Sequence, residues 1–168
     1  MPVTPFHFGP GAALQAVAPK HISFIAFCTA NVLIDIESLY NLVQHRYPVH
    51  AFFHTYVGAT IMAMVVTGLF WCCRWLAARY GLPDLFNWRQ LRMRQVATGA
   101  LLGAWSHVVF DGIMHYDVRP FWPFSDVNPF LDFVPLWALH LGCALAGLIG
   151  LLVAVGRWYI YGDKSLLD

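Results

Sequence analysis

The chain has 168 residues, of which 59% are hydrophobic and only 11% are charged, with a formal net charge of +1. A soluble domain usually carries about 25% charged residues. The composition therefore excludes an ordinary soluble domain and predicts one membrane-embedded helical domain, residues 1–168, in contact with membrane lipids. Near-neutral charge also argues against nucleic acid as a partner, which would require a basic face.

Four apolar segments are candidate membrane helices. A spanning helix needs about 20 mainly apolar residues. Residues 55–76, 96 to about 115 and 134 to about 161 meet this requirement, and residues 22–43 nearly do, although Asp35 and Glu37 interrupt them. Residues 9–20 form a shorter piece that suffices only for a half-depth helix. The predicted fold is an all-α polytopic bundle of about four long membrane helices plus a short N-terminal half-helix.

The N-terminal piece has two possible arrangements. At about 1.5 Å per residue, His7 lies roughly 18 Å before Pro19, and Asp35 lies roughly 20 Å after Lys20. An antiparallel hairpin would therefore return His7 to the level of Asp35 and Glu37. In the alternative, the N-terminal helix lies in the membrane interface and His7 is solvated.

The basic residues predict an orientation. The loop between the second and third long segments is rich in arginine, whereas the opposite loops contain only Arg46 and Arg119. The positive-inside rule places the arginine-rich loop in the cytoplasm, and the C-terminus, with Arg157 and Lys164, falls on the same side. These features predict an integral protein of a bacterial inner membrane with a cytoplasmic C-terminus. The arginines of the loop and its flanks are Arg74, Arg79, Arg89, Arg92 and Arg94.

Ionisable groups at membrane depth cost about 2.5–3.5 kcal/mol each for Asp, Lys or Arg at a helix centre and therefore indicate function. Three stretches carry them here: LIDIESLY, HRYPVHAFFH and SHVVFDGIMH. All three fall toward the predicted non-cytoplasmic face. Isolated membrane histidines are usually packing residues, but six histidines grouped with carboxylates favour metal binding over packing or a proton path. The candidate metal ligands are His7, Asp35, His50, His54, His107 and Asp111.

Helical spacing supports these candidates. His50 and His54 are four residues apart and would share one face of a helix that begins near Ala51. His107 and Asp111 have the same spacing, and His115 extends their stripe. His107 and His115 would lie about 12 Å apart along the axis, too far to bind one ion. Asp111 can pair with one of them or bridge two ions, and His107 is the expected partner because it lies deeper and is better shielded.

The ligand types suit several metals. Imidazole and carboxylate without thiolate fit zinc, and manganese or iron are alternatives. One or two ions would make hydroxide available near neutral pH, with Glu37 as the general base or a further ligand. His115 would contact the ligands or face the substrate. Arg119 would hold a phosphate or carboxylate of the substrate, or else anchor the chain at the interface through a pair with Asp117.

The ordered motifs resemble the YdjM-like family of membrane-bound metal-dependent hydrolases. An early histidine in TPFHFGPG, the acidic pair in IDIE, the stretch HRYPVHA, and SHVVFD followed by WPFS match that family's order over about residues 4–150. The resemblance implies a hydrolase with metal ligands at His7, Asp35, His50, His107 and Asp111, and His54 is added by its spacing. The chain departs from the family pattern at Glu37, Tyr47, Val49 and Ala51, and His54 and His115 are additional histidines.

The function predicted from the sequence is a membrane-embedded metal-dependent hydrolase that acts on a phosphoester or another lipid-like amphiphile. A metal or proton transporter or sensor is the alternative. A transporter is expected to stage polar groups across the bilayer, often on repeats, whereas here they gather toward one face and no repeat is visible. A structural bundle with a polar cluster for assembly is a third possibility.

Overall fold

The computed structural model describes residues 5–161, and this part of the chain is helical with no strand. The helices are α1 (Phe8–Val17), α2 (Phe24–Val43), α3 (Tyr56–Tyr80), α4 (Met93–Met114) and α5 (Leu136–Tyr161), and short 3-10 turns occur at Pro5–His7, Phe52–His54 and Leu85–Gln90. Within the described residues, α3, α4 and α5 are long and apolar enough to cross a membrane. The predicted class, a helical membrane bundle with four long helices and a short N-terminal one, is confirmed.

The N-terminal segment forms the predicted hairpin. Helix α1 has ten residues, so it is about 15 Å long, half the depth of the bilayer core. The chain reverses before Ser23, whose hydroxyl accepts a hydrogen bond from the amide of Ala26 and caps α2. Gln15 of α1 accepts a hydrogen bond from the amide of Phe24 and ties the two arms together. The hairpin returns His7 to the interior of the bundle.

Helices α2, α3 and α4 enclose the apolar core. Small side chains let neighbouring helices approach closely, and in a membrane this packing replaces the hydrophobic effect as the force that associates helices. Alanine accounts for about half of the buried core cluster. Its members are Ala26, Ala30, Ile34, Ala59, Met62, Ala63, Val66, Val96, Ala100, Ala104 and Val108.

Two glycines of α4 set its distance from α2. A Cβ atom at Gly99 would overlap the carbonyl oxygen of Ser23, and a Cβ atom at Gly103 would overlap that of Phe27. Asn31 of α2 donates across to the carbonyl oxygen of Gly103 in α4 at 3.2 Å, and within α2 it also donates to the carbonyl oxygen of Phe27 at 2.9 Å. This close contact places the polar face of α2 directly against that of α4.

Helix α5 packs on α1 rather than on the core. Gly9 lies against Cys143, Ala12 lies against Gly150, and Arg157 donates to the carbonyl oxygen of Ala16, so α1 and α5 run parallel. Most of the remaining surface of α5 is apolar and exposed, as expected for a helix that faces lipid. Helix α5 thus holds the hairpin in place through its contacts along α1.

The arginine-rich loop and the histidine-rich stretches lie at opposite ends of the bundle. Helix α3 begins just after His54 and ends beside Arg79, and α4 begins after Arg92 and returns toward Asp111. Which end faces the cytoplasm stays a prediction from charge. Lys164, one of the basic residues behind it, lies outside the described residues.

Candidate metal centre

The polar stretches converge at one end of the bundle. Asp35 projects from α2, and His107 and Asp111 project from α4 one helical turn apart. The other histidines that converge here come from segments next to helix ends: His7 before α1, His50 and His54 before α3, and His115 after α4. All of these side chains are buried except His115, which is half-buried.

The first group of possible metal ligands contains Asp35, His54, His107 and Asp111. One donor atom from each of them lies within 4.8 Å of the others. Nε2 of His107 is 3.3 Å from Asp35 Oδ1 and 3.4 Å from Asp111 Oδ2. Nε2 of His54 is 3.2 Å from Asp111 Oδ2 and 3.3 Å from Nε2 of His107. Two imidazoles and two carboxylates therefore point at one small volume.

Asn31 determines which ring nitrogen of His107 faces this volume. Its amide nitrogen donates to two backbone carbonyls, so Oδ1 must be the atom that lies 3.1 Å from Nδ1 of His107. An amide oxygen only accepts, and Nδ1 of His107 must therefore carry the proton. In the neutral ring Nε2 then presents its lone pair to Asp35 and Asp111, as a metal ligand does.

The second group contains His50, Asp111 and His115. Nε2 of His50 is 3.8 Å from Asp111 Oδ2, and the rings of His50 and His115 stack with centroids 4.1 Å apart. Asp111 belongs to both groups, so its two oxygens could serve one ion or bridge two.

The residues present fit a divalent cation. Asp35 Oδ1 and His7 Nε2 are buried and have no hydrogen-bond partner among the described residues, and leaving such atoms unsatisfied is costly. Asp35 and Asp111 are buried carboxylates with no arginine or lysine partner among the described residues, so they also need compensating positive charge. An ion held by oxygen and imidazole nitrogen would satisfy both requirements.

His7 lies beside the first group without belonging to it. Its Nδ1 is 3.2 Å from Nδ1 of His107, and its Nε2 is 3.6 Å from Asp111 Oδ1. The half-length of α1 is what brings it to this depth. A role as ligand for His7 stays a prediction, and its contacts place it close enough to contribute.

His50 and His54 come together by a different route from the one predicted. The segment between them is not α-helical but a 3-10 turn, Phe52–His54, and His50 precedes it. Their rings nevertheless lie 4.8 Å apart. His115 is the C-cap of α4 and has an extended conformation, but its amide still donates to the carbonyl oxygen of Asp111 and its side chain lies in the same ligand group as Asp111.

Glu37 occupies a structural position. Its two oxygens accept hydrogen bonds from the amides of Phe52 and Phe53, at 3.2 and 2.7 Å. It is in neither ligand group. The general-base role predicted for Glu37 stays a prediction, and its contacts hold the turn that carries His54.

Arg119 lines a cavity next to the second group. The cavity has a volume of about 250 Å³, and its lining includes His50, Asp117, Arg119 and Trp122. Arg119 pairs with Asp126 at 2.8 Å and its side chain is 53% exposed. The alternative in which Arg119 pairs with Asp117 is wrong, because Asp117 binds His50 instead.

The loop groups of the site have perturbed protonation equilibria. Burial lowers the pKa of His50, and His54 adds to this effect against the pull of Asp117 and Asp111. Burial and the neighbouring His50 also lower the pKa of His115. Burial alone would raise the pKa of Asp117, but hydrogen bonds from His50 hold it below its usual value. At neutral pH both imidazoles are therefore uncharged, which metal ligation requires.

Sequence reasoning missed two polar residues of the site, Asn31 and Asp117. Asn31 lies four residues before Asp35, so it shares a helical face with that ligand, and this spacing was a usable signal. Asp117 lies in a loop, and no local pattern relates it to His50, which is 67 positions away.

The fold and the site together define a class: an integral membrane helical bundle whose buried histidine–aspartate site could hold a metal ion. The family model described as YdjM inner membrane protein matches residues 3–164. The chain therefore belongs to the YdjM inner membrane protein family, which confirms the resemblance of its motifs and an inner-membrane location. No curated protein and no solved structure matches the chain.

Proposed function

We propose that this protein is a metal-dependent hydrolase that acts on a phosphoester or a related lipid-like substrate at the non-cytoplasmic interface. The observation that carries the proposal is the sharing of Asp111 by two groups of possible ligands beside a cavity, with only His115 of the two groups less than fully buried. The cavity gives a substrate space beside the second ligand group, because His50 belongs to that group and also lines the cavity. Zinc suits the imidazole and carboxylate set, and manganese and iron are the alternatives.

Each part of the site has a task in this proposal. A divalent ion, when bound, supplies a Lewis acid and makes hydroxide available near neutral pH. Asp35, His54, His107 and Asp111 would hold it, and the buried core around them excludes bulk water. His115 is well placed to accept or return a proton, because it is half-buried beside His50.

The cavity favours an anionic amphiphile as the substrate. Arg119 at its rim offers a guanidinium, which binds phosphate or carboxylate oxygens in pairs. Phe52 and Trp122 add apolar and aromatic surface to the lining of the same cavity. A lipid headgroup could therefore place its charged group at Arg119 and its scissile bond toward His50 and Asp111.

Metal content is the first test of the proposal. Detergent-purified protein without a histidine tag should contain one or two ions per chain by elemental analysis, since two ligand groups share one aspartate. The double variant His107→Ala, Asp111→Ala should lose them. Absence of bound metal, even after reconstitution with zinc, manganese and iron, would rule out the hydrolase. Metal-dependent flux in proteoliposomes without hydrolysis would favour the transporter instead.

Replacing Arg119 with glutamine should weaken substrate binding and leave the chemical step nearly unchanged. Hydrogen bonds to charged groups contribute about 1.5–3 kcal/mol, and the low end applies to a half-exposed arginine, which corresponds to about a tenfold higher KM. Phosphate release from dioctanoyl phosphatidic acid measures the effect. Arg46→Gln, which removes an exposed arginine that lies over Tyr40, is the matched control. An unchanged KM in Arg119→Gln would exclude this anchor.

A further inference from the structure

Asp117 makes three hydrogen bonds, all with the segment that carries His50. Its Oδ2 accepts from the amides of Val49 and His50, at 2.9 and 3.0 Å. Its Oδ1 lies 2.9 Å from Nδ1 of the His50 imidazole. The side chain is 7% exposed, and the nearby Arg119 pairs with Asp126 rather than with it. A buried carboxylate is thus directed at one histidine.

We propose that Asp117 is a positioning residue that holds His50 in the tautomer able to bind metal. A carboxylate has only acceptors to offer, so Nδ1 of His50 must donate its proton to Oδ1. In a neutral ring this leaves the lone pair on Nε2, the nitrogen that faces Asp111 at 3.8 Å. Carboxylate–histidine–metal arrangements of this kind orient the ring and strengthen the ligand. The inference rests on the proposed function, because it assigns a task relative to a bound metal ion.

The simpler explanation is that Asp117 only ties down the backbone at Val49 and His50. That explanation accounts for Oδ2 but not for Oδ1, which takes no part in the backbone contacts. It also predicts that any acceptor at Oδ2 would suffice. The two explanations therefore differ at the atom of residue 117 that faces His50 Nδ1. The positioning role requires a hydrogen-bond acceptor there, whereas the backbone role does not.

Asp117→Asn separates them. The asparagine oxygen can keep the two backbone bonds, while its amide nitrogen faces Nδ1 and forces that atom to accept. The proton of His50 then moves to Nε2 and blocks the lone pair from the metal. Loss of such outer partners typically weakens metal binding about 10–100-fold, so we expect a shift of that size in zinc competition titrations. The visible absorption of the cobalt-substituted variant should resemble that of His50→Gln.

Asp126→Asn is the matched control, because it makes the same change of charge in the same loop without touching His50. It should bind zinc as the wild type does. Equal zinc affinity in Asp117→Asn and Asp126→Asn would overturn the proposal while leaving the hydrolase intact. A wild type that binds no metal would instead remove the proposed function and this inference with it.

A measurement on the wild type covers the case in which Asp117→Asn does not fold. In protein with ¹⁵N-labelled histidine, the ring signals of His50 can be assigned by their loss in His50→Gln. We expect the proton on Nδ1, and a shift of Nε2 when zinc is added. A proton on Nε2, or no response of Nε2 to zinc, would contradict the role assigned to Asp117.

Discussion

Replacing Asp111 with asparagine should abolish hydrolysis and remove most of the bound metal, while the helical bundle persists. Asp111 is the one residue common to both ligand groups, so its loss weakens both at once. Metal Lewis acids contribute several kcal/mol to a reaction, and each 1.36 kcal/mol is tenfold in rate. We therefore expect turnover to fall by about a thousandfold or more, measured as phosphate release and as ions per chain.

The fold should tolerate this change. Asparagine has nearly the same shape as aspartate, and the exchange removes one of two neighbouring buried negative charges, the other being Asp35. The apo form of Asp111→Asn should therefore unfold at about the same denaturant concentration as the apo wild type. Asp126→Asn controls for the charge change. Full activity of Asp111→Asn on an identified substrate would show that the site is wrongly assigned.

Replacing Gly103 with alanine should destabilise the bundle and disturb the site from a distance. The added Cβ atom would overlap the carbonyl oxygen of Phe27, so α2 and α4 must move apart. Overpacking of this kind typically costs about 1–3 kcal/mol. The same displacement would stretch the hydrogen bond that Asn31 of α2 donates to the carbonyl oxygen of Gly103 in α4, and it would disturb the orientation of His107, whose Nδ1 lies 3.1 Å from Asn31 Oδ1.

Gly142→Ala provides the matched control for Gly103→Ala. No atom lies within 4 Å of a Cβ atom built at Gly142, which is also in a membrane helix. Alanine in a helix is favoured over glycine by about 0.5–1 kcal/mol, so Gly142→Ala should unfold at or slightly above the wild-type midpoint. Two measurements check this: the midpoint of unfolding in mixed detergent and the number of metal ions bound per chain. Both should be lower than in the wild type in Gly103→Ala and not in Gly142→Ala. If the two variants matched the wild type in both measurements, the close approach of α2 and α4 would be wrong.

The sequence alone identified the class of protein and most of the polar residues of the site. Segment length and hydropathy suffice to predict membrane helices. About 20 apolar residues span a bilayer as a helix, and inside the bilayer a single segment can satisfy its backbone hydrogen bonds only as a helix. The pairing of His107 with Asp111 was also predictable, because residues four apart share a helical face whatever surrounds them. The types of the possible metal ligands, imidazole and carboxylate without thiolate, also followed directly from the residues of the three polar stretches.

Only the tertiary structure decided which residues meet across the bundle. His7 and His107 are 100 positions apart, and their contact depends on a half-length helix that reverses before Ser23 and is held by α5. Asp117, which orients His50, was not identified because it acts on a residue from a distant segment. Asn31, which orients His107 across the bundle, shares a helical face with Asp35, but that spacing does not reveal its contact with α4. Glu37 was assigned to chemistry from its place beside Asp35, yet its carboxylate holds the turn at Phe52–His54. Local sequence patterns report which residues share a helix face, whereas the contacts that complete this site join segments that only packing brings together.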